Sequence, residues 1–282
     1  MPISQKSKGF SLIELMIVLV LSLLITYSIA QVLISSNQSS VTSDGVSQAQ
    51  ETGRFTVSFM SNFLRIAGKD SEGNNATAPT SNPFIAACND VSASFSDEGV
   101  CSSESRAGTG DRIAVSSVRT AVPGEAILDC TNATGHSDPI VPYVTDDTIV
   151  DVFWVDFDAV SGMNSLYCQG FKVENDNVVG WSDAQVVASG VEAIHALYGE
   201  ASQPLALGNR PNVSMYVPAD QVDDWSRVYA IKIAILTRSL SDGTNEITDR
   251  SYILLDSAGY TYNDTVHRQL YSTTYFIPNI EN

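Results

Sequence analysis

The sequence predicts an α+β protein. One long N-terminal helix, membrane-spanning at first and amphipathic later, packs on an antiparallel β-sheet head with a β-rich C-terminal part. Three observations carry this prediction. The run Leu15–Ile34 holds 20 residues and no charge, enough at about 1.5 Å rise per residue to cross a hydrocarbon core of about 30 Å. Apolar residues then recur at three- and four-residue steps from Phe55 to Ile66. From Arg112 onward the period changes to two, and β-branched and aromatic residues take over.

The first nine residues form a polar leader carrying Lys6 and Lys8 and no acid. Lysines ahead of an apolar helix hold the leader in the cytoplasm and send the remainder across the membrane. One carboxylate, Glu14, stands at the start of the apolar run, and no further charge follows until Asp44. A small-residue cleavage site after Ile34, as in an ordinary secretory signal, is missing. The small residue at a junction is Gly9, ahead of the run, so a cut there removes the leader and leaves the helix, beginning at Phe10.

Beyond Ile34 the helix continues through the polar stretch Ser35–Gln50, with Gly45 as a soft point. The stripe Phe55, Phe59, Met60, Phe63, Leu64, Ile66 should face the protein's own sheet. Gly68 supplies a stop near Ala67, with a turn at Ser71–Asn75. Three parts follow: leader 1–9, helix 10–67 with its membrane part at 10–34, and head 68–282. The helix would measure about 87 Å, so only its second half can be covered by the head.

Residues 70–110, rich in Ser, Asn, Ala and Gly, read as an irregular connection. Strands are expected at Arg112–Val118, Ala126–Cys130, Thr148–Asp158, Ser165–Val173, Gln185–Ser189, Val191–Tyr198, Arg227–Arg238, Arg250–Leu255 and His267–Ile277. Arg227–Arg238 is the most apolar and should be central. Pro218–Trp225 suggests a short helix with acidic residues near its start, and Asp242-Gly243 a hairpin turn.

The formal charge is −17. Such a surface repels phosphates, and nucleic acid is not expected as a partner. The four cysteines, Cys88, Cys101, Cys130 and Cys168, are an even count in an exported head and argue for two disulfides. Three pairings exist, of which Cys88–Cys101 with Cys130–Cys168 closes the shortest loops. With no C-x-x-C and three scattered histidines (His136, His195, His267), a zinc site is not expected. No nucleophile elbow, S-x-x-K, H-E-x-x-H or Walker loop occurs, so neither catalysis nor a cofactor is expected. His195 reads as a core or edge histidine. Asp70–Asn75, Asn175–Asn177 and Asp242–Asp249 read as solvated turns, since none has EF-hand spacing. Tyr260, Tyr262, Tyr271 and Tyr275 read as sheet-packing positions.

Gly9-Phe10-Ser11-Leu12-Ile13-Glu14-Leu15 resembles the type III signal of type IV prepilins and type II secretion pseudopilins. The resemblance implies a pilin fold, cleavage between Gly9 and Phe10 by a membrane prepilin peptidase, N-methylation of Phe10, and polymerisation of the mature helices. It further implies an inner-membrane protein with its head in the periplasm, delivered to the pilus through an assembly platform. Glu14 has a physical role beside the resemblance. A carboxylate in a membrane helix costs roughly 2.5–3.5 kcal/mol unless neutralised or paired. A neighbouring subunit's Phe10 amine can meet it in a low-dielectric bundle and set the register.

Further stretches are similar to the PilW branch of minor pilins: Thr52–Phe55, Phe63–Gly68, Gly190–Ile194 with Tyr198-Gly199, Trp225–Ser239, and His267 to Asn279. The branch implies a minor pilin that joins other minor pilins and the major pilin in a tip complex that primes assembly and supports motility, adhesion or uptake. Two alternatives stand beside it: a type II secretion pseudopilin of the GspJ type, and a filament-displayed adhesin module.

Overall fold

The computed structural model describes residues 11–68, 84, 102–106, 108–120, 125–136, 141–174, 177–203, 212–240 and 248–278. One helix, α1 (Leu12–Ile66), precedes fourteen strands among these residues. They are β1 (Ser103–Arg106), β2 (Gly110–Arg119), β3 (Gly135–His136), β4 (Val141–Pro142), β5 (Asp147–Asp158), β6 (Met163–Glu174), β7 (Asn177–Trp181), β8 (Gln185–Ser189), β9 (Val191–Glu200), β10 (Met215–Val217), β11 (Val228–Arg238), β12 (Thr248–Tyr252), β13 (Tyr260–Asp264) and β14 (Arg268–Phe276).

α1 runs through Gly45 without a break. Its end follows from two residues. Ala67 leaves the helical region at ψ 135°, and Gly68 takes φ +71°, a conformation open to glycine at little cost. The Gly68 N–H then donates to Ser116 O of β2 (2.9 Å), so the chain is handed to the sheet within two residues.

The main sheet runs β14-β11-β9-β2-β5-β6-β7, with β1 on β2, β10 on β9 and β8 on β6. Every pairing is antiparallel except a single parallel contact, Gly110 against Ile194, where β2 meets β9. Gly110 has φ +91°, and a Cβ there would strike the Ile194 carbonyl, so only glycine allows that junction. β11 is buried along almost its whole length, as its composition predicts. The main core lies between the sheet and the second half of α1: Met60 and Leu64 meet Ile113, Phe153, Leu166, Ile194, Ile231 and Ile233. On the opposite face, Leu254 and the separate two-stranded sheet β12-β13 cover Ala193, Ala234 and Leu236.

Four expectations need correction. Ala126–Cys130 is not a strand, because the Asp129 carboxylate collects the N–H groups of Thr131 and Ala133 and winds the segment into a turn. Pro218–Trp225 forms no α-helix but two 3₁₀ turns, Ala219–Gln221 and Trp225–Arg227. The Glu200 carboxylate takes the Asp223 and Asp224 N–H groups that a helix would have used. Arg227–Arg238 and Arg250–Leu255 do not pair as a hairpin, since β11 lies between β9 and β14 while β12 pairs β13. Asp242 and Gly243 themselves lie outside the described residues.

The fourth is partial: the stripe does meet the sheet through Phe59, Met60, Phe63 and Leu64, and Phe55 does not. The residues α1 buries are Gly45, Ala49, Gly53, Thr56, Met60 and Leu64. Phe59 and Phe63 are half-buried against Phe153, and Phe55 remains 49% exposed. The small positions match what sits opposite them: Tyr271 lies over Gly53 and His267 over Gly45.

Candidate assembly site

Among the described residues, α1 alone is long and apolar enough to cross a membrane. Every residue from Leu12 to Ile34 is exposed, because the head begins to cover the helix only near Thr42. The few polar groups in this stretch are closed locally. Ser22, Thr26 and Ser28 donate to the carbonyls of Leu19, Ser22 and Leu24 (2.8–2.9 Å), and the Gln31 amide donates to the Tyr27 hydroxyl. Hydroxyls folded back in this way present no unsatisfied donor to lipid.

Glu14 occupies the first turn, and the Ser11 N–H donates to its Oε2 at 3.4 Å. A carboxylate here also meets the positive end of the helix dipole. The side chain remains exposed, leaving the carboxylate open to a cation from another molecule. Gly9 and Phe10, the expected cleavage and methylation positions, lie outside the described residues.

Farther along, the sheet holds the helix by its main chain. Thr237 Oγ1 donates to Ala49 O (2.8 Å), Tyr271 OH to Gln50 O (3.1 Å) and Tyr275 OH to Val57 O (3.0 Å). These contacts need the side chains of Gly53 and Ala49 to be small, a signal present in the Gly45, Ala49, Gly53 spacing. Tyr271 and Tyr275 thus serve the helix, while Tyr260 and Tyr262 serve the sheet surface.

The remaining polar clusters are structural. Cys130 and Cys168 are joined by a disulfide with Cα atoms 6.1 Å apart, and Cys88 and Cys101 lie outside the described residues. Asp151 lies beside that bridge, fully buried, pairing with Arg119 and accepting the Cys130 N–H at 2.8 Å. Burial pushes its carboxyl up to about 6, against the pull of the Arg119 charge. Atoms of Cys130, Asp151 and Cys168 come within 4.8 Å of one another, but the sulfurs are bonded to each other. Tyr143 donates to Asp129 at 2.9 Å, and burial next to that carboxylate raises its phenol.

His195 lies between Asp111 (Nδ1 at 3.3 Å) and the Tyr260 hydroxyl (Nε2 at 2.6 Å). Burial and the Asp111 charge push the Tyr260 phenol up to about 12. This chain of three ties the β12-β13 sheet to β2 and β9. Arg268 lies 3.5 Å from the Tyr262 ring centroid and pairs with Asp264 and Glu192.

Site and fold together are an exposed apolar helix with one carboxylate at its start, carried by a β-sheet head. Residues 4–26 match the family model described as Prokaryotic N-terminal methylation motif, and residues 152–279 match Type IV Pilus-assembly protein W. No curated protein matches the chain. Among solved structures, a type IV-like pilin from Thermus thermophilus is similar at 17% identity and TM-score 0.35, over 63% of this chain and 83% of that one. At both stretches the chain is similar to type IV pilin-like proteins. The region similar to Type IV Pilus-assembly protein W runs from within β5 to just beyond β14.

Proposed function

We propose that the chain is a low-abundance subunit of the type IV pilus that joins other minor pilins at the tip, primes assembly of the major pilin, and thereby supports motility, adhesion or uptake. Prepilin peptidase cuts between Gly9 and Phe10, Phe10 is methylated, and the head then lies outside the inner membrane. The observation that carries this reading is the division of α1. Its first part is bare and apolar with Glu14 at the start, while its second part is fixed to a ten-stranded sheet. A bare helix has no other shelter than lipid or other helices, and a head this wide is easier to place once, at an end, than at every step of a thin fibre.

The experiment is Glu14→Ala with a tag on the head. The expected result is normal membrane insertion and leader cleavage, with the tag absent from sheared pili, whereas the wild-type tag marks filament tips or the assembly base. Normal incorporation of the variant refutes the role of Glu14, and dense labelling along the filament refutes the minor-pilin role. A deletion that leaves pili intact but blocks export of folded enzymes would transfer the chain to the secretion pseudopilins.

A further inference from the structure

The two ends of the main sheet are finished differently. β7 is five residues long, contains Gly180, and pairs with β6 through a register shift. Shortness and irregularity are the usual ways in which a protein closes a sheet edge to other chains. β14 has neither: nine residues pair with β11 in unbroken register, without proline or bulge.

The outward-facing groups can be assigned. The Ser239 N–H donates to His267 O (2.8 Å), and the Ile277 N–H donates to Tyr229 O (2.9 Å). Residues opposite one another in an antiparallel ladder alternate between bonded and non-bonded pairs. The odd-numbered residues from His267 to Ile277 therefore bond to β11. Arg268, Leu270, Ser272, Thr274 and Phe276 direct their N–H and C=O groups away from it, and no described strand pairs with them. The side chains alternate likewise. Tyr271 and Tyr275 reach α1, whereas Leu270 and Phe276 are exposed at 38% and 62% on the other face. The only charge on the strand, Arg268, is taken up by Asp264 and Glu192.

We propose that the β14 edge is a docking rail for an extended, uncharged segment of a different pilin-type subunit, added as a further strand with apolar side chains over Leu270 and Phe276. Main-chain bonds supply affinity in such strand addition and alternate side chains supply specificity. A second copy paired antiparallel is the wrong occupant. The contacts of α1 with β14 pair residue 45 with 267, 50 with 271 and 57 with 275, so helix and strand run the same way. Antiparallel self-pairing across a two-fold axis reverses one helix and sends the two apolar segments to opposite ends, which a single bilayer cannot accommodate. A different subunit escapes that constraint, because its strand and its helix need not share a direction.

The proposal rests on the pilin reading above, and the test separates the two. A photo-crosslinking residue replaces Thr274 in the full-length chain, in cells that assemble pili, and the crosslinked peptide is identified by mass spectrometry. The expected product joins Thr274's position to an extended segment of another protein with a prepilin-type N-terminus. Ser272→Pro removes one outward N–H without breaking a bond to β11 and should reduce that product about two- to ten-fold, as loss of a shared strand bond would. Ser272→Lys is the second blocking variant, and unchanged thermal melting shows that both fold. Crosslinks to a second copy, to the chain's own residues, or to nothing overturn the proposal, as does a product that survives both variants. If Glu14→Ala stops incorporation while Ser272→Pro and Ser272→Lys do not, the rail is wrong and the pilin reading stands.

Discussion

Gly53→Ala tests how the head holds its helix. On an exposed helix this change stabilises by about 1 kcal/mol, through alanine's higher propensity. Here an ideal Cβ would fall within the Tyr271 ring, 2.6 Å from Cζ. The ring must move, and it cannot do so without losing its hydroxyl bond to Gln50 O. Overpacking costs about 1–3 kcal/mol and the lost bond about 1 kcal/mol. The propensity gain offsets part of this, so the net is a destabilisation of about 1–3 kcal/mol. At about 2–4 °C per kcal/mol for a head of this size, melting falls by roughly 2–12 °C. The assay is thermal unfolding of the full chain in detergent, followed by tryptophan fluorescence. In a Tyr271→Ala background the clash is gone, and Gly53→Ala should become neutral or stabilising, a coupling that a double-mutant cycle reads directly. A rise in melting temperature on Gly53→Ala in the otherwise wild-type chain would refute the argument.

The disulfide Cys130–Cys168 closes a separation of 38 residues, so Cys130→Ser with Cys168→Ser should cost about 4 kcal/mol in urea unfolding on the chain-entropy account; a loss under 1 kcal/mol would contradict it. Asp151 has a carboxyl raised from 3.8 to about 6 in the folded chain. The folded state thus takes up this proton before the unfolded state does, and Asp151's own contribution to stability grows as pH falls from about 6 to about 4. The unfolding free energy of wild type minus that of Asp151→Asn should rise as pH falls from about 6 to about 4; a difference that falls toward acid would show Asp151 to be ionised and favourably paired throughout.

Much of this architecture was legible in the sequence, and the failures have a common cause. The long helix, its stop at Gly68 and the buried β11 are local patterns: an uncharged run, a glycine after the last apolar step, and continuous β-branched residues. The partner of each strand is not local. Nothing within Arg250–Leu255 reveals that it pairs with β13, although Tyr260 and Tyr262 alternating with Thr261 and Asn263 gave a strand signal that was passed over. The 3₁₀ turns at Ala219–Arg227 depended on Glu200, some twenty residues upstream, taking the N–H groups first. In the assembly site, Glu14 stood out because a lone acid in an apolar run is conspicuous. The small residues Gly45, Ala49 and Gly53 did not, because hydrophobic periodicity weights bulk, and the tyrosines that require those gaps lie more than two hundred residues later.

The hydroxyl clamps at Ala49, Gln50 and Val57 bear on a mechanical question. They are spread along an axis shared by rod and strand, so a pull on the N-terminal end strains them together, in shear, and does not peel them off in succession. Traction would therefore reach the sheet as one distributed load, and a head anchored in this manner should fail late under tension.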